Sequence, residues 1–282
     1  MFRNRLSRRN FLKKSSFGTL SGVLASAELI PSEKTSSLNH AALEDQISCA
    51  VIGFGQWGRE ISKAIHELED TDLTVICDHF PLMLRRAKRD FPAVKTESDY
   101  QTVLADESIT AVFVATPTHF HKDIVIASLK AGKHVYCEAP LAHTMEDARA
   151  IAQAARNAKG QIFQTGLLYR TEPQYRSVYG FVRSGALGKS SMTRSQWHYK
   201  DSWRRPSSSG ARAEALNWRL DEKVSLGLVG EVGIQQIDTC MWLNEQLPVA
   251  VSGFGHVAFW RDGRTVPDTI QSVIEFPSGE NM

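Results

Sequence analysis

The sequence predicts an α/β fold: a parallel sheet covered on both faces, followed by a smaller α+β region with a predominantly antiparallel sheet. Three observations predict it. The apolar runs at 47–55, 73–77, 110–117 and 134–140 are nearly continuous rather than alternating, which marks strands buried on both faces. Segments with helical spacing separate these runs, as parallel strand connections require. From about residue 190 the rhythm shifts to longer, alternating stretches with one helix among them.

Element by element, "ISCAVIGFG" (47–55) is a strand ending in glycine, followed by a helical pattern through Ile61, Ala64, Ile65 and Leu68. A second strand at 73–77 leads to helix-like "PLMLRRAKRDF", then Val94 and a short helix near 98–105. The strand at 110–117 precedes a helix at 121–132 closed by Gly132, and 134–140 is the next strand. The helix at 145–160 carries acidic residues early, basic residues late and Gly160 after, in keeping with its dipole and cap. "SMTRSQWHY" (191–199), "VAVSGFGHVAFW" (249–260) and "TIQSVIEFP" (269–277) read as strands of the second sheet, with a helix at about 230–243.

The 282 residues are 42% apolar and 23% charged, a globular composition. Formal charge is +2, yet residues 1–27 hold six basic residues and no acidic one. The remainder has 27 basic against 31 acidic residues, a net of −4 that gives no electrostatic case for nucleic acid. "SRRNFLK" (7–13), a weakly apolar run and the small residues Ala25, Ser26 and Ala27 form the pattern of a twin-arginine signal. It predicts cleavage after Ala27, export to the periplasm or another extracytoplasmic space, and no stable membrane span. Residues 28–45 read as a polar linker, 46–166 as the first domain and 167–282 as the second. Cys49, Cys77 and Cys137 fall in apolar runs and Cys240 on a helix, without CxxC or zinc spacing. Buried thiols and no metal are expected.

"GFGQWG" places Gly53, Phe54, Gly55, Gln56, Trp57 and Gly58 as G-x-G-x-x-G between a strand and a helix. The first glycine turns the backbone, the second lets a pyrophosphate approach, and the third packs helix on strand. Asp78 follows Gly58 by twenty residues at the tip of the second strand. A carboxylate there accepts ribose hydroxyls and repels a 2′-phosphate, so NAD is favoured over NADP. The first domain thus reads as a Rossmann dinucleotide-binding domain. Arg85 and Arg86 lie on a helix whose basic face reads as solvated.

"ATPTHFH" and "YCEAP" set Thr116, Pro117, His121, Glu138 and Pro140 at carboxyl ends of parallel strands, the edge where such sheets bind ligands. His119 and His121 read as polar loop residues rather than metal ligands. At 230–243, Ile234, Ile237 and Met241 share an apolar stripe, while Glu231, Gln235 and Asp238 share the opposite one. Periodicity leaves that polar stripe open between a solvated face and a site. "QWHYKDSWRR" offers His198, Tyr199 and Lys200 as proton carriers, with Trp197, Trp203, Trp218 and Arg219 suited to a carbohydrate. The alternative is a core strand with snorkelling arginines.

From residue 46 to its last residue the sequence resembles the Gfo/Idh/MocA family of oxidoreductases. "AVIGFGQWG" is similar to its dinucleotide turn, "ATPTHFH" to its T-P-x-x-x-H strand end, "CEAP" to its E-K-P, and "GEVGIQQID" to its G-x-H-x-x-D helix. The resemblance implies that Glu138 touches the nicotinamide ribose, that Ala139–Pro140 is cis, and that the helix at 230–243 lines a substrate pocket. Two positions depart: Ala139 stands for the usual lysine and Gln235 for the usual histidine, and neither residue can exchange a proton. "EFPSGENM" ends without a return strand, so the second sheet is expected to be incomplete and the protein truncated at its C-terminus. The implied activity is NAD(P)-dependent hydride transfer on a carbohydrate or polyol; the twin-arginine signal, whose route carries folded proteins, adds the expectation of a tightly held nucleotide. NAD-assisted glycoside cleavage, epimerisation and a nucleotide-binding but inactive protein are the alternatives. The open face of the second sheet would serve a homo-oligomer.

Overall fold

The computed structural model describes residues 46–207, 209–279 and 281–282; the signal and linker read at 1–27 and 28–45 lie outside the described residues. Six strands lie in the order β3-β2-β1-β4-β5-β6, and every neighbouring pair is parallel. They are β1 (Ile47–Ile52), β2 (Thr71–Cys77), β3 (Lys95–Glu97), β4 (Ala111–Val114), β5 (His134–Cys137) and β6 (Phe163–Thr165). The helices between them are α1 (Gln56–Glu67), α2 (Pro81–Asp90), α3 (Tyr100–Ala105), α4 (His121–Lys130) and α5 (Met145–Asn157). Strand order reverses between β1 and β4, which opens a crevice at their carboxyl ends.

The continuous apolar strands are explained by two cores. Alternate residues of β1 go to opposite faces: Ala50 and Ile52 join Val112, Val125 and Ile151, while Cys49 and Val51 join Phe54, Ile65 and Phe91. All four cysteines are buried thiols outside any disulfide. Burial pushes the Cys49 thiol up to about 11 and Cys77 up to about 12, with Asp72 and Asp78 adding to the respective shifts. Helix starts follow local chemistry. Asp99 caps α3 by accepting from Gln101 N, and Thr144 caps α5 by accepting from Asp147 N. Lys133 is buried, and its ammonium donates to the carbonyls of Asp106 (2.7 Å) and Ile109 (2.8 Å), which ties the turn after α3 to the turn before β5.

The second region contains α6 (Pro173–Arg183), α7 (Gly210–Leu216), α8 (Ile234–Asn244), β7 (Ala250–His256) and β8 (Thr269–Glu275). Its antiparallel sheet has two strands among the described residues, paired from Ala250↔Glu275 to His256↔Thr269. The strand expected at 191–199 does not form; Met192 makes one isolated bridge to Asn281, and residues 194–200 are exposed. Alternation alone cannot make a strand without a neighbouring ladder to bond. The apolar stripe of α8 does pack as read: Ile237 and Met241 lie against Cys240, Ile274 and Phe276. No helix of the described residues is long and apolar enough to cross a membrane.

Ile151 is fully buried where α5 meets the sheet. Ile151→Ala is expected to cost about 2–5 kcal/mol of unfolding free energy, measured by urea denaturation, through lost burial and the cavity left behind.

Candidate functional site

The three glycines of the β1–α1 turn are required for three different reasons. Gly53 has φ +97°, and a Cβ there would stand 2.7 Å from the Ala115 carbonyl oxygen. A Cβ on Gly58 would collide with the Gly53 carbonyl oxygen, so α1 rests directly on the turn. Gly55 faces open space, the approach a pyrophosphate needs. Helix α1 begins there with no side-chain cap and no acidic residue in its first turn, which leaves its positive end available to an anion.

Asp78 locks the turn to the tip of β2. Its Oδ2 accepts from Phe54 N (2.8 Å) and its Oδ1 from Phe80 N (2.8 Å), while further lone pairs remain for ribose hydroxyls. The Phe54 ring itself is buried against Phe91, so this residue offers its amide rather than its side chain. Gln56 and Trp57 open α1, and the Trp57 indole reaches Glu138.

Across the crevice, the loops after β4 and β5 are braced by His121. It is 1% exposed, with Nε2 2.9 Å from the Thr116 carbonyl and Nδ1 3.2 Å from that of Pro140. Burial lowers its pKa and favours the neutral ring, which has one N–H to donate. His121 therefore positions Thr116, Pro117 and Pro140 rather than exchanging protons. The Thr116 hydroxyl is buried without a protein partner. The Ala139–Pro140 bond is cis. Glu138 Oε1 accepts from the Tyr136 hydroxyl (2.7 Å), and burial raises its pKa against the hydrogen bonds from Tyr136, Trp57 and Ala139. An open approach at Gly55, a free helix terminus, a carboxylate at the tip of β2 and an unpartnered hydroxyl fit a dinucleotide.

The polar stripe of α8 is not a solvated face. Gln235 donates to the Gly166 carbonyl (2.8 Å), and a Cβ on Gly166 would lie 2.9 Å from Glu138 Oε2, so Gln235 closes on the Glu138 loop. Asp238 is held by Arg170 through two hydrogen bonds of 2.7 Å. Glu231 lies one turn earlier, in the π-helical turn Val229–Gly233, with its side chain 6% exposed. One oxygen accepts from Arg219 Nε (2.9 Å); among the described residues the other has only the Ser225 and Thr118 hydroxyls, at 3.4 and 3.5 Å. Burial raises its pKa, outweighing Arg219. Thr118 belongs to the loop after β4, so this carboxyl is joined to the rim of the crevice. Sequence reasoning put Glu231 on the polar stripe without giving it a role; its i−4 spacing from Gln235 was the available signal.

His198, Tyr199 and Lys200 are exposed. Tyr199 lies against Trp197 and the Lys200 ammonium over Phe259; among the described residues no hydrogen bond or ion pair joins the three to Glu138, Gln235 or Asp238. No group of three His, Cys, Asp or Glu side chains suited to a metal occurs among the described residues.

The family described as "Oxidoreductase family, NAD-binding Rossmann fold" (GFO_IDH_MocA) matches residues 47–166, and the GFO/IDH/MocA C-terminal domain matches 175–281. The protein belongs to the GFO/IDH/MocA oxidoreductase family. Levoglucosan dehydrogenase of Pseudarthrobacter phenanthrenivorans is 30% identical over 60% of this sequence and 42% of that protein. The scyllo-inositol 2-dehydrogenase (NAD(+)) of Bacillus subtilis is 29% identical over 52% of this sequence and 43% of its own length. The fold is shared with Lactobacillus casei scyllo-inositol dehydrogenase, solved with bound NAD(H) and scyllo-inositol: TM-score 0.68 and 20% identity, covering 84% of this protein and 68% of that one. The matches thus span under half the length of these curated GFO/IDH/MocA relatives.

Gly55→Val is expected to abolish NAD binding in a calorimetric titration while leaving the melting temperature near wild type, since its Cβ meets no protein atom. Gly58→Ala should lower both, because its clash is with backbone. Glu138 has a folded pKa raised above its ordinary 4.5, so its contribution to stability is full below that value and is lost as pH rises through the folded pKa. Urea denaturation across that window should show stability falling with pH in the wild type and a flatter profile in Glu138→Gln.

Proposed function

We propose that this protein is an NAD-dependent oxidoreductase acting on a hydroxyl group of a carbohydrate or polyol, with its nucleotide retained between turnovers. The observation that carries the reading is a buried carboxyl, Glu231, at the rim of the crevice whose other wall is the glycine turn. NAD, when bound, supplies the hydride acceptor. The amides of the turn and the start of α1 bind the pyrophosphate, Asp78 takes ribose hydroxyls and disfavours a 2′-phosphate, and Glu138 and Thr116 offer hydrogen bonds on the opposite wall. Glu231 takes the proton as the alcohol is oxidised and returns it in the reverse direction; Gln235 orients the substrate through its amide. Glu231 must be ionised to act as base, so its raised pKa sets the acid limb of the rate, which climbs as pH passes that value.

The signal at 1–27 supports export of the folded protein by the twin-arginine route with its nucleotide inside. A retained nucleotide has to be reoxidised in place, which suits redox-balanced chemistry on one sugar or between two. Ala139 and Gln235 favour a second reading, a nucleotide-binding protein without turnover.

Protein purified without added nucleotide and then denatured is expected to release stoichiometric NAD or NADH, identified by absorbance and mass. Glu231→Gln should lower sugar-dependent turnover by about 10²–10⁴-fold with nucleotide content unchanged. Absence of released nucleotide and of NAD binding would overturn the proposal. Turnover that appears only in Gln235→His would establish the silent reading.

A further inference from the structure

Two arginines outside the dinucleotide domain reach its groove. The Arg205 guanidinium donates to Gln56 Oε1 (3.2 Å) at the first residue of α1, beside the open approach at Gly55. Arg212, on α7, lies with its guanidinium carbon 3.4 Å from the centroid of the Phe80 ring. The Phe80 amide is bonded to Asp78, so this second cation stands at the ribose-reading end of the groove. Neither arginine forms an ion pair with a carboxylate among the described residues, in contrast to Arg170, Arg204, Arg219 and Arg264.

Both are held in place from behind. Asn217, buried, accepts from Arg205 N (2.7 Å) and donates to the carbonyls of Arg205 (3.0 Å) and Ala213 (2.7 Å), pinning the arginine segment and α7 to each other. Arg264, whose side chain is 4% exposed, donates to the Ser202 carbonyl (2.6 Å) and pairs with Asp262, which also holds Arg204 (3.2 Å). The backbone that carries Arg205 is thus fixed on the fold of the second region, while the guanidinium extends to the first. Cations without a carboxylate partner at both ends of the groove are available to phosphate charge.

We infer that Arg205 and Arg212 are dinucleotide-binding residues supplied by the C-terminal region, Arg205 to the pyrophosphate and Arg212 to the adenosine, and that they slow release of the nucleotide. This rests on the NAD-binding reading above. Arg205 contributes charge and hydrogen bonds to phosphate oxygens. Arg212 lies with one planar face against Phe80, where a Lys ammonium could supply charge but no planar surface.

The test loads the full-length protein with NADH and follows fluorescence during a chase with excess NAD. Arg205→Ala and Arg212→Ala should each release NADH about tenfold faster than wild type, the effect of one lost charged hydrogen bond or stacking contact. ADP-ribose affinity should fall by the same factor in both variants, and nicotinamide mononucleotide affinity should not change in Arg212→Ala. Arg205→Ala and Arg212→Ala should each flatten the salt dependence of ADP-ribose binding, whereas Arg212→Lys should keep the wild-type salt dependence with the affinity of Arg212→Ala. Circular dichroism confirms that the variants are folded. Wild-type release rates in both alanine variants would overturn the inference and leave the NAD reading intact. Failure of the wild type to bind NADH or ADP-ribose would overturn both.

Discussion

The close approach of backbone to backbone at the β1–α1 turn governs the rest of the site. Gly58 sits against the Gly53 carbonyl, and Gly53 against that of Ala115, at contacts no side chain would allow. That contact sets the start of α1 at the point where strand order reverses, with its positive end facing the crevice. Asp78 then ties β2 to the turn through Phe54, and Phe80 to Asp78, so three segments share one carboxylate. A small shift of α1 would move the Trp57 indole away from Glu138 and the Gln56 amide away from Arg205 together.

The opposite wall is organised by burial rather than by close backbone contact. His121 has no room to be charged and acts as a brace between two loops. Glu138 and Glu231 are both raised by burial, yet they differ in what surrounds them. Glu138 already accepts from a phenol, an indole and an amide, which leaves it capacity for a nucleotide hydroxyl but little more; Glu231 has one oxygen on Arg219 and another held only loosely by hydroxyls. The loosely held oxygen is the one with capacity for a new partner, which is why we propose Glu231 rather than Glu138 as the proton carrier.

The parallel sheet was legible because its strands are buried on both faces and interrupted by helices with caps and dipole-matched charges, all of which are local signals. The glycine turn and Asp78 were legible because their spacing follows from the path of one strand, one helix and the next strand tip. The strand expected at 191–199 was not, because alternation records which residues prefer exposure and says nothing about a bonding neighbour. His198, Tyr199 and Lys200 looked reactive by residue type, but reactivity depends on burial and partners, and these three have solvent. Glu231 and the two groove arginines were hidden for the converse reason. Their significance comes from Thr118, Gln56 and Phe80, which lie roughly 110 to 150 positions away in the sequence.

The buried thiols have a consequence for the compartment in which such a protein could last. Oxidants attack the thiolate, and thiols held at about 11 and 12 are ionised to a vanishing degree at neutral pH. Cys137, sealed under the same sheet, is pushed in the same direction by burial and by Glu138. The fold thereby renders these cysteines chemically mute: peroxide, glutathione disulfide and a periplasmic disulfide-forming catalyst would all find no nucleophile to engage while the sheet stays closed. Unfolding would abolish that silence at a stroke, so alkylation of the three thiols reports opening of the parallel sheet and nothing less.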